Sequence, residues 1–172
     1  MLNGHQLNDS FIIVQALAPL LHGAKLSEED LAFEKQMAYG FQSACLSNVM
    51  ENGWNFRKMV GKWFGCGAAN CLTFCCCNCP CYRHHMLNKK KQAGDKNTAA
   101  DIYKYLIIIE ERLEKHEFLS GKELGILDLS LYGMTHTFSS EPNMGFFQDM
   151  LDKSEKFARW WLKMHNIVGV VN

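Results

Sequence analysis

Residues 118–133 read FLSGKELGILDLSLYG, and they constrain the chain most because they specify where a helix begins. If Gly125 is the N-cap, Asp128 falls at the third helical position. There its carboxylate reaches back to the free N–H of the cap, which is half of a capping box. Glycine is an acceptable cap but has no side-chain oxygen, so the reciprocal half is missing. Leu124 before the cap and Leu129 five residues later stand where a hydrophobic staple would close over the helix entry. This helix is expected to run from Ile126 towards Phe138, either as the central helix of its domain or as one amphipathic helix among several.

The remaining elements share the same 3.6-residue period. Asp9 or Ser10 caps an apolar helix through Phe11, Ile12, Val14 and Leu17, which Pro19 is expected to kink or stop. Ser27 opens a second helix on Ser-Glu-Glu-Asp, running to about Met50 with Gly53 closing it. Phe56, Met59, Val60, Trp63 and Phe64 mark a third, at i, i+3, i+4, i+7 and i+8. The polar run MLNKKKQAGDKNT reads as a loop. Thr98 with Asp101 starts a helix whose face is Ile102, Tyr105, Leu106, Ile109 and Leu113. Pro142 breaks the chain, and Phe157, Trp160, Trp161 and Met164 mark the last helix. With no convincing period-2 run and only three prolines, the fold class is all-α.

The 172 residues suffice for one domain, and zero formal net charge gives no electrostatic footprint for nucleic acid. Trp160 and Trp161 could stack on a base beside Lys156, Arg159 and Lys163, but their helical spacing assigns them to the core. His136 reads as a packed or surface histidine. No secretory signal and no run of about 18 apolar residues is visible.

Seven of the eight cysteines crowd between Cys66 and Cys81, which is not the spread of a disulfide framework. Cys76, Cys79, Cys81 and His84 could make a zinc set, although structural zinc usually draws ligand pairs from separated segments. Alternatively the run is a thin helix of small residues with buried thiols, suited to packing on membrane helices. Trp63, Phe64, Cys71, Cys75 and Cys76 would then form a membrane or partner face. Arg57, Lys58 and Lys62 before it, and Arg83 and Lys89 to Lys91 after it, suit a headgroup region and S-acylation. An ordinary buried helix is the plain alternative.

Four stretches resemble the helical C-terminal domain of the glutathione transferase fold, and specifically the membrane-associated prostaglandin E synthase type 2 family. They are NGHQLNDSFIIVQAL, the segment around Leu31 to Phe41, Gly67-Ala68-Ala69 with the basic Lys89 to Lys91, and FLSGKELGILDLSLYG. The resemblance implies a remnant of a thioredoxin-like domain and junction at residues 1–25. A helical domain over 26–172 would come next, with 66–97 as a Cys-rich insert and basic loop. It also implies that Asp9 and Ser10 meet the γ-glutamyl end of glutathione, though helix capping explains both residues as well. The family's Cys-Pro-x-Cys site has no counterpart, because Tyr82 follows Cys79-Pro80-Cys81.

Two functions are expected on these grounds. One is a non-catalytic accessory or structural subunit, with no cofactor, that packs with protein partners in a larger membrane complex; the mitochondrial inner membrane is its expected site. The other is the helical half of a glutathione-dependent transferase or isomerase, its thioredoxin-like half supplied by a separate chain.

Overall fold

The structure, a computed structural model, describes residues 14–15, 17–19, 26–52, 80–92, 94–139 and 145–168. Among these the regular elements are all helical, and the only extended pairing is an isolated bridge between Phe118 and Gly121. The all-α class read from the sequence is what is observed.

Ser27 caps helix α1 (Glu28–Lys35), its Oγ accepting from the Asp30 N–H at 3.1 Å. Glu28, Glu29 and Asp30 in the first turn favour the positive end of the helix dipole. A π-turn (Gln36–Phe41) joins α1 to α2 (Gln42–Glu51), and the Gln42 N–H bonds the Met37 carbonyl five residues back. The reason lies in the apolar spacing. Phe33, Met37, Phe41, Cys45 and Val49 recur every fourth residue, and all five are buried. In an unbroken α-helix such a row drifts about 40° at each step. A wide turn absorbs about one residue's rotation, roughly 100°, and keeps the row on the core.

Helix α3 (Pro80–Gln92) overturns the reading of MLNKKKQAGDKNT as a loop, since its first seven residues are helical. Pro80 suits the first helical position. Met, Leu, Lys and Gln are good helix formers, and Lys89, Lys90 and Lys91 sit in the last turn, where cations complement the dipole. Polarity alone is the wrong signal here.

Thr98 and Asp101 form a full capping box over a 3₁₀ turn (Ala99–Asp101) that leads into α4 (Ile102–Lys115). The expected face is buried at Ile102, Tyr105, Leu106 and Ile109 and half-buried at Leu113. Helix α5 (Ile126–Ser139) comes next, then α6 (Gly145–Lys153), which the sequence reading does not separate, and α7 (Glu155–Val168). Ser154 caps α7, accepting from the Phe157 N–H at 3.1 Å and donating to Glu110 on α4 at 2.5 Å.

The core lies between the α1–α2 rod, α4, α5, α6 and α7, with Phe41, Leu127, Leu131, Phe157 and Met164 fully buried. Its aromatic layer mixes edge-on contacts, such as Phe147 on Trp161 at 5.4 Å between centroids, with stacking of Phe157 on Trp160 at 5.7 Å. Trp160 and Trp161 belong to it. Val14 and Ala18 make a smaller cluster with Ile126. Residues 17–19 are helical, so Pro19 lies within a helix, and residues 20–25 are outside the described ones.

Candidate functional site

Among the described residues Asp128 is the fully buried carboxylate with the most hydrogen bonds. Its Oδ2 accepts from the Gly125 N–H at 3.2 Å, the half capping box expected from the sequence. The Gly125 carbonyl receives the first helical bond, from the Leu129 N–H. The carboxylate also accepts from the backbone of Leu119 at 2.7 Å and Ser120 at 3.1 Å, and from the Trp160 indole at 2.9 Å. Asp128 is fully buried, and four donors satisfy a group that would otherwise be costly to desolvate. One side chain thus ties together the turn at 118–121, the start of α5 and the middle of α7. In that turn Gly121 has φ +124°, where a residue with a Cβ would be strained.

The staple needs correction. Leu124 packs against the core, but Leu129 is 41% exposed and does not join it. The carboxylate already anchors the segment before the helix, so the entry angle is held by polar bonds instead of an apolar clamp.

A groove of about 530 Å³ opens between α1 and α4, lined in part by Asp30, Phe33, Arg112, Lys115, His116 and Gly121. Arg112 governs it. The guanidinium pairs with Asp30, donates from Nε to the Leu119 carbonyl at 2.5 Å, and lies 4.7 Å from the Phe33 ring centre. Glu29, Glu111, Lys115 and His116 leave both signs of charge around the opening. Through Nε and one terminal nitrogen Arg112 fastens α1 to the 118–121 turn across this groove.

A second polar cluster fastens the end of α3 to α2. The Lys90 ammonium donates to Ser47 Oγ and to the Asn97 carbonyl, and Ser43 donates to Asp95. Burial raises the Asp95 pKa, but hydrogen bonds from Ser43 and Asn97 and the nearby Lys90 prevail and hold it below the usual carboxylate range. Tyr105 donates to Asn97 Oδ1 at 2.6 Å. Its phenol is shifted up by burial, with Asp101 and Asp95 adding to the effect.

The third cluster is aromatic. His165 stacks on Trp161 at 5.0 Å and 13°, and its Nδ1 shares a 2.9 Å hydrogen bond with the Tyr132 hydroxyl. His136 is exposed and stacks on His165 at 6.3 Å. His136, read from the sequence as a packed or surface histidine, is exposed and ring-stacked, but the cluster itself joins residues 33 positions apart and has no local signal.

Glu34 is fully buried on α1. Its Oε1 accepts from the Ser130 hydroxyl at 2.7 Å, while Oε2 has no hydrogen-bond partner. Burial pushes its pKa up, and the Ser130 bond only partly opposes this. A carboxyl with a raised folded-state pKa favours folding while protonated. That contribution is lost as pH climbs from the ordinary carboxylate range through the raised value. Glu34→Gln is therefore expected to gain about 1 kcal/mol over the wild type at pH 8 and almost nothing at pH 4. Urea unfolding at the two pH values measures the difference, and an equal effect at both would contradict the assignment.

Asp9, Ser10, Trp63, Phe64, Cys71, Cys75, Cys76 and Cys79 lie outside the described residues, as does the helix expected at Phe56 to Phe64. Cys81 falls in the first turn of α3, and His84 on the same helix is exposed. Among the described residues no three His, Cys, Asp or Glu side chains cluster so as to hold a metal ion, and no helix is long and apolar enough to cross a membrane. Cys45 is fully buried, and burial shifts its thiol strongly upwards, away from the reactive thiolate. No protein-family model, curated protein or solved structure matches the chain.

Proposed function

We propose that the chain is a helical scaffold of the glutathione transferase C-terminal type that serves as an accessory subunit in a larger assembly at a membrane. The mitochondrial inner membrane is its proposed location. The observation that carries this reading is the use made of the polar side chains inside the bundle. Asp128 binds four donors across three segments, Arg112 binds Asp30 and the Leu119 carbonyl, and Lys90 binds Ser47 and Asn97. Each clamps one segment to another, an arrangement suited to a rigid surface that partners recognise.

The second reading, half of a glutathione-dependent enzyme completed by a separate chain, draws on Asp9 and Ser10, which the sequence marks as caps of an expected helix, where free N–H groups would attract a carboxylate. Calorimetry separates the two. The isolated chain is expected to show no heat with glutathione, and purification from native membranes should bring down membrane subunits. Saturable glutathione binding, or a co-purifying thioredoxin-like chain, would favour the split enzyme.

A further inference from the structure

The charge of this chain, zero in sum, is sharply divided. Between Glu51 and Asp95 lie 43 residues with no Asp or Glu but seven cations: Arg57, Lys58, Lys62, Arg83, Lys89, Lys90 and Lys91. All eighteen acids therefore lie elsewhere, with only eleven of the eighteen basic residues. In that acidic remainder several of the cations are neutralised locally. Arg112 pairs with Asp30, Lys156 with Glu114 and Lys163 with Glu117.

The end of α3 is different. Lys90 turns inward onto Ser47 and Asn97, and its side chain is only 20% exposed. On either side of it Lys89 and Lys91 are exposed, and Lys96 beyond the helix is exposed as well. None of these three forms an ion pair with a described residue. The acids bordering the adjoining cleft are Glu51 and Asp95, and Asp95 is held by Ser43, Asn97 and Lys90. The helix is thus anchored by one lysine and presents its neighbours outward.

We infer that Lys89, Lys91 and Lys96 form a docking face for a bilayer rich in anionic phospholipid. This deepens, and rests on, the reading of the chain as a membrane-docked scaffold. Charge complementarity selects an anionic surface, since each lysine near such a surface contributes on the order of 1 kcal/mol. Sequence order selects lipid over nucleic acid. Residues 63–82 are twenty uncharged positions, rich in cysteine, glycine, alanine and aromatic residues, bracketed in sequence by Lys62 and Arg83, the order of cations around an uncharged stretch that suits an interfacial segment. A polyanionic strand would favour charge distributed along the contact instead.

The test uses the full chain and co-sedimentation with protein-free vesicles. Binding is expected to vesicles of phosphatidylcholine with phosphatidylserine, to fall steeply with salt, and to be absent from pure phosphatidylcholine. The variant K89Q/K91Q/K96Q is expected to bind roughly 100-fold more weakly with unchanged thermal unfolding, because the three side chains are exposed. Equal binding to neutral vesicles, no binding to anionic ones, undiminished binding of the variant, or tighter retention of single-stranded RNA than of vesicles would each overturn the inference. The vesicles carry no protein, so such a failure bears on this face alone. The scaffold reading is judged separately by what co-purifies.

Discussion

Asp128→Ala is expected to lower the stability of this domain by about 4 kcal/mol. The substitution removes an acceptor and leaves behind the N–H groups of Leu119, Ser120 and Gly125 and the Trp160 indole. Three of these four bonds are buried, so water cannot easily replace the carboxylate. An unsatisfied buried donor costs about 1–3 kcal/mol, which is why the loss exceeds that of an ordinary helix cap. For a domain of this size the melting temperature should fall by roughly 10 °C. Trp160→Phe removes one donor and leaves the acceptor in place, so it should cost much less. Chemical denaturation of both variants makes the comparison, and similar losses from the two would show that packing, not the shared carboxylate, holds this corner together.

Gly40→Ala should cost about 3 kcal/mol, for a steric reason. Gly40 lies in the π-turn where the α1–α2 rod meets α4. A Cβ there would stand 2.5 Å from Tyr105 Cζ and 2.7 Å from Cε1, with the hydroxyl oxygen nearer still. No real Cβ tolerates those distances, so the ring must move. Tyr105 is buried, packs edge-on against Phe41 at 6.3 Å, and holds Asn97 through its hydroxyl. Displacing it disturbs the core and the 95–98 connection together. A double-mutant cycle gives the decisive reading: in a Tyr105→Leu background, Gly40→Ala should lose most of its effect. Additive losses would mean that the glycine matters for the backbone of the turn and not for the contact.

These two residues are unequally visible in the sequence. The helix starts can be read because their chemistry is local: Ser27 before three acids, Thr98 with Asp101, and Gly125 with Asp128 lie within three positions of each other. The buried faces of α4 and α7 are legible for the same reason, since periodicity is a short-range pattern. The other bonds of Asp128 are not, because Trp160 is 32 residues away. Arg112 and Asp30 lie 82 residues apart, and Ser43 and Asp95 lie 52 apart. Local pattern carries no information on such pairs. Helix α6 escapes the sequence reading because nine residues with Phe146, Phe147 and Met150 make too short a period to separate from its neighbours. Position alone assigns Leu129 to a staple, although a carboxylate with four donors leaves that task undone. The candidate site of Asp9, Ser10 and the cysteine run rests on resemblance and composition, and most of those residues lie outside what the structure describes.

The wide turn at Gln36–Phe41 has a consequence for how this chain tolerates changes in length. A residue taken up there leaves Cys45 and Val49 facing inward, whereas one added between Phe41 and Cys45 would swing both about 100° towards solvent. An insertion or deletion of a single amino acid is ordinarily ruinous inside a packed helix. Here one short segment can absorb it, so relatives of this protein should differ by one residue at this point and keep the same count on both sides.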